Sequence, residues 1–129
     1  AKSITTIALD RIESIQLVSE VYLPNMEINF EEYLDDVVGV SVPTDGIVEK
    51  VILKIDAESW PYIKTKPIHG SQKIKEQTSK YTIIELQVIP NFELEALIFS
   101  HAEMIEVIRP ETLRQRVKDR LIKLKEKYT

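Results

Sequence analysis

Apolar positions alternate with polar ones along much of this 129-residue chain, and the period changes from segment to segment. In residues 48–55, Val51, Leu53 and Ile55 share one face while Lys50 and Lys54 take the other, as in a strand with one buried side. Residues 81–89 repeat the pattern, with Ile84, Leu86 and Val88 facing inward. Residues 72–78 offer only Ile74 among Lys73, Lys75 and Glu76, which predicts a charged edge strand kept from sticking by its lysines. Residues 103–108 supply a last strand. Between the strands the period lengthens. Asp56 is placed to cap a short helix holding Trp60 and Ile63, which Pro61 and Pro67 keep brief. Asn91 caps a second helix, with Glu93 and Glu95 in its positive first turn and Leu94, Leu97 and Ile98 toward the core. The order β-α-β-β-α-β predicts an α+β, ferredoxin-like unit.

Two further stretches flank that unit. At the front, residues 4–9 are rich in Ile and Thr and read as a strand buried on both faces. With nothing beside it in these residues to bury it, such a strand is expected to pair with a neighbouring chain or to fold back on the ferredoxin-like sheet. Residues 15–23 read as irregular or extended up to Pro24. Asn29 then opens a helix with Glu32 as its capping-box partner, and Leu34, Val37 and Val38 form its buried face. Gly39 stands where a left-handed cap belongs, and Pro43-Thr44-Asp45-Gly46 is a turn signal. At the far end, Pro110 opens a long helix at its first position. Leu113, Val117, Leu121, Leu124 and Tyr128 form its apolar stripe, and Arg116, Arg120, Lys123 and Lys127 run beside it.

Charge sharpens the picture. The net formal charge of −4 hides a division: residues 109–129 hold eight basic and three acidic side chains, and the rest holds nine and eighteen. An acidic body with a basic terminal helix admits two readings. One is a phosphate-contacting surface; the other is a set of cations suited to the C-terminal half of a helix, snorkelling beside its apolar stripe. The acidic body, which would repel phosphate, favours the second.

Candidate chemistry is sparse. The sequence has no cysteine, so disulfides, thiolate zinc sites and cysteine nucleophiles are excluded and a reducing cytoplasm suits it. His69, in Pro67-Ile68-His69-Gly70-Ser71-Gln72, is either a ligand contact or a loop-capping residue, and the lack of a partner acid or nucleophile at a telling spacing favours capping. His101, near Glu103 and Glu106, is expected to be exposed. Glu31, Glu32, Asp35 and Asp36 follow no calcium-loop pattern and read as a solvated face. The three isolated glycines cradle no phosphate, and Trp60 with Tyr62 reads as an aromatic seal on a core edge rather than a base-stacking pair. No catalytic residue, metal or cofactor is expected, and no apolar run is long enough to span a membrane.

Several segments resemble a known family. Ile4-Thr5-Thr6-Ile7-Ala8-Leu9-Asp10-Arg11-Ile12 is similar to the last strand of a WYL domain, which usually ends in Leu-Asp-Arg-Ile. Phe30-Glu31-Glu32-Tyr33-Leu34, Val38-Gly39-Val40, the stretch around His69, Pro90-Asn91-Phe92-Glu93-Leu94 and Val107-Ile108-Arg109-Pro110-Glu111-Thr112-Leu113-Arg114 resemble, in order, the WYL C-terminal extension. The resemblance implies a transcriptional regulator in three parts here: a barrel remnant at 1–12, a connecting segment with one helix at 13–46, and a ferredoxin-like extension with its terminal helix at 47–129. It implies DNA contact through a helix-turn-helix outside these residues, a small-molecule or nucleic-acid effector, and a homodimer in the cytoplasm. Ligand or nucleic-acid contact would fall to Arg11, His69, Arg116, Arg120, Lys123 and Lys127. Two departures stand out: Thr5 replaces a usual basic residue, and His101-Ala102 replaces a usual glycine, which implies a differently drawn turn before the last strand.

Overall fold

The computed structural model describes residue 5 and residues 7–129. Its centre is one antiparallel sheet in the order β2-β3-β1-β4, made of β1 (Glu49–Asp56), β2 (Lys73–Gln77), β3 (Tyr81–Val88) and β4 (Ile105–Arg109). Among the described residues four α-helices accompany it: α1 (Phe30–Tyr33), α2 (Trp60–Thr65), α3 (Phe92–Ser100) and α4 (Glu111–Lys127). The strand–helix order and the strand order are those of the expected ferredoxin-like unit.

Period-2 patterning selects the buried face. Val51, Leu53 and Ile55 of β1 and Ile84, Leu86 and Val88 of β3 are fully enclosed, and Ile105 and Val107 of β4 continue the layer. Trp60 and Ile63 of α2, Leu94 and Ile98 of α3, and Leu113 of α4 close over it. Each fully buried aliphatic side chain of this kind contributes about 1.5–3 kcal/mol. On the opposite face Glu85 is covered by two lysine arms instead of by core. Lys73 Nζ lies 3.0 Å and Lys75 Nζ 3.6 Å from its carboxylate. A register shift between Ile74 and Glu76 inserts Lys75 as an extra residue in the edge strand. The hydrogen bond from Lys73, with the charges of Lys73, Lys75 and Lys50, holds the Glu85 carboxyl below its ordinary range against the opposing effect of burial.

The segment ahead of β1 is fastened to the start of α3. Asn91 Oδ1 accepts from the Leu94 amide at 2.9 Å, the expected cap of α3, and its Nδ2 donates to the carbonyls of Val38 at 2.8 Å and Ser41 at 2.9 Å. The Ile89 amide donates to Asp36 O at 2.6 Å, and the Gly46 amide closes the expected turn on Pro43 O. Val37 and Val38 are buried here, whereas Leu34 is left half-exposed because α1 stops at Tyr33.

Several expectations are corrected. Leu9–Arg11 forms a 3-10 turn rather than the end of a strand, and Ile7 and Leu9 are exposed. The expected strand at 4–9 otherwise falls partly outside the described residues, and the four-stranded sheet does not include Ile7 or Leu9. Asn29 Oδ1 accepts from the Glu31 amide at 3.0 Å, one residue short of the capping-box position. Ser59, not Asp56, is the N-cap residue of α2; the Asp56 carbonyl accepts from the Ser59 amide in the preceding turn. Pro110 is the N-cap residue of α4, not its first helical residue. His101 is half-buried at the end of α3, where its amide bonds back to Ile98 O. Ala102 takes a φ of +50°, so the turn keeps a left-handed, glycine-like form without the glycine. Trp60 seals the core as expected, but Tyr62 points into solvent.

Candidate functional site

The terminal helix leaves the domain partly undressed. Leu113 is fully buried and Val117 half-buried, but Leu121 and Leu124 are each 48% exposed and Tyr128 more so. The expected apolar stripe is therefore covered only over its first two turns. Past them, α4, β4 and the end of α3 enclose an open groove of about 670 Å³. Its floor is Phe99, Ala102, Ile105, Val107, Val117, Leu121 and Leu124, and its rim carries Glu103, Glu106, Arg114 and Lys118.

Three arginines tie α4 to its neighbours. Arg114 Nη1 donates to Glu106 Oε2 at 2.8 Å and to Val107 O at 2.6 Å, tying the first turns of α4 to β4. The hydrogen bond it donates to Glu106 raises the guanidinium's pKa still further. Arg116 and Arg120, one helical turn apart, share Glu95 of α3 at 3.2 Å and 3.7 Å. Arg120 also lies over the Phe99 ring, 4.4 Å from its centre.

The structure thus separates the residues singled out from sequence. Arg116 and Arg120 are engaged with α3, while Lys123 and Lys127 stand exposed along the outer half of α4. His69 lies apart from them, in the loop before β2. Its Nδ1 accepts from the Ser71 amide at 3.1 Å, which leaves the proton on Nε2, and Nε2 donates to the Asp35 carbonyl at 2.5 Å. That imidazole joins two loops, as a capping role requires. Arg11 closes the exposed 3-10 turn at the other end of the chain.

Glu95, Phe99 and Arg114 were not singled out as site residues. A signal existed: Glu95 and Phe99 stand four apart on α3, and Arg116 and Arg120 four apart on α4, so each helix presents a matched pair. Pairing the two helices, however, requires knowing that they lie side by side. Glu93 stands in the positive first turn of α3, and it does more than complement the helix dipole. Burial pushes its carboxyl up, but the Ser41 hydroxyl, donating at 2.6 Å, and the backbone amides of Glu93, Val40 and Ser41 outweigh that and hold it below its ordinary value.

Among the described residues no group of three or more His, Asp or Glu side chains is placed to hold a metal ion. No helix of the described residues is long and apolar enough to cross a membrane. A search of curated proteins finds no match to the chain. A family model described as the WCX domain matches residues 48–124, from the start of β1 into the outer half of α4.

Proposed function

Because the chain belongs to the WCX-domain family, the C-terminal extension of WYL-type regulators, we propose that it is the non-catalytic regulatory and assembly module of such a transcriptional regulator. The family match over the ferredoxin-like unit carries this reading. The distribution of chemistry supports it. The polar side chains are spent on holding elements together: Asn91 and His69 on the connecting segment, Arg114, Arg116 and Arg120 on α4. The remaining asset is a surface, the apolar groove beneath α4. DNA contact then belongs to a helix-turn-helix elsewhere in the longer protein, and effector sensing to a WYL barrel.

The test is made in the full-length gene product. Removing residues 47–129 should abolish its assembly or its response to effector while the remaining part still contacts DNA. Unchanged assembly and unchanged response would refute the reading.

A further inference from the structure

We propose that residues 35–46 belong to the ferredoxin-like unit as a clamped strap, and that the joint on which this module turns lies upstream, in residues 12–28. The family match begins at residue 48 and leaves both stretches outside the unit. The proposal extends the regulator reading, in which a barrel precedes the module, by placing the joint between the two.

The strap is gripped by its backbone. His69 Nε2, from the loop before β2, donates to the Asp35 carbonyl at 2.5 Å. The Ile89 amide, just past β3, donates to Asp36 O at 2.6 Å. Asn91 Nδ2 reaches two further carbonyls, those of Val38 and Ser41. The amides of Val40 and Ser41 donate in their turn to the Glu93 carboxylate. The loop before β2, the exit of β3 and the start of α3 thus hold residues 35–41 together. Main-chain groups drawn out of water into such bonds are costly to leave unpaired.

Packing follows the grip. Val37 and Val38 are buried, and Val38 belongs to the same core cluster as Leu86 and Leu94. At the far end of the strap a Cβ on Gly46 would collide with the Ile89 side chain, so the backbone there is pressed against the exit of β3.

Upstream the picture reverses. Residues 12–27 are exposed at every position and form no helix or strand. Asn25 spends its side chain on its own turn, accepting from the amides of Glu27 and Ile28 and donating to Ile28 O. A stretch that buries no side chain opens at little cost, whereas one tied into a core opens only against that core. The orientation of the module is therefore carried rigidly as far as residue 35, and bending falls to residues 12–28.

Thermolysin, which cuts ahead of aliphatic side chains, finds sites in both stretches: Ile15, Leu17 and Val21 in one, Val37, Val40 and Val42 in the other. Applied to the 129-residue chain, it should cut within 12–28 at least ~10-fold faster than within 35–46 and leave a product that retains the strap. Hydrogen exchange should find the Val40 and Ser41 amides protected. Asn91→Ser keeps an oxygen to cap α3 but withdraws both donations to the strap, and Asn91→Asp sets a carboxylate against the same carbonyls. In each variant the protection of 35–46 should fall ~10-fold or more, whether the strap opens alone or takes the sheet with it. Equal cutting of the two stretches in the unaltered chain, or strap protection that both variants leave unchanged, would overturn the proposal. Neither result bears on the regulator reading, which stands or falls with the full-length product.

Discussion

Gly39 is packed against Glu93: a Cβ on Gly39 would stand 2.7 Å from Cγ of Glu93, closer than two carbons approach. The glycine also has a φ of +76°, the left-handed region that side chains disfavour. The contact matters because Glu93 is where the connecting segment meets α3. Gly39→Ala should therefore destabilise the chain by about 1–2 kcal/mol from backbone strain alone, with more from the clash. Chemical denaturation checks this.

The opposite change is expected at Ala102, whose φ is +50°. Ala102→Gly relieves the strain of a left-handed alanine but loosens the unfolded chain. The balance should be a gain of about 0.5–1 kcal/mol. A lower denaturation midpoint for this variant would show that the methyl group, which borders the groove, contributes more by packing than it costs in strain.

Glu93 gives the junction a pH dependence. Its folded-state pKa lies below the ordinary 4.5, so the unfolded chain takes up the proton more readily than the folded one. Its contribution is complete above that ordinary value and is lost as pH falls through the lower, folded value. Glu93→Gln should flatten the acid limb of a stability-against-pH curve and leave the neutral limb parallel to that of the unaltered chain. A curve of unchanged shape would mean that Glu93 takes no part in the acid response.

One stripe of α4 should divide in two. Leu113 is fully buried, and Leu113→Ala should cost about 2–5 kcal/mol. Leu121 is 48% exposed, and Leu121→Ala in the monomer should stay within about 0.5 kcal/mol. Denaturant titration at low protein concentration separates the two.

Most of the fold was legible because it obeys local rules. The alternation of Val51, Leu53 and Ile55 against Lys50 and Lys54 determines which face of β1 is buried, and Asn91 announces the start of α3. What was not legible depends on neighbours. The sequence marks Leu121 and Leu124 as part of an apolar stripe, but only the length of α4 relative to α3 and β4 shows that they lie past the covering core. Arg116 and Arg120 look like free cations until Glu95 is brought beside them. Residues 4–9 read as a strand on propensity, yet Leu9 enters a 3-10 turn, since propensity does not supply a partner strand.

The regulator reading is tested most directly by selecting genomic DNA fragments with two proteins in parallel, the full-length gene product and the 129-residue chain alone. The full-length product should enrich a discrete operator, and the chain alone should enrich none, since Arg116 and Arg120 are engaged with Glu95 and the rest of the module is acidic. Enrichment by the isolated chain, lost on reversing Lys123 and Lys127 to Glu, would contradict the account and assign nucleic-acid contact to α4. A full-length product that enriches no fragment would contradict it from the other side.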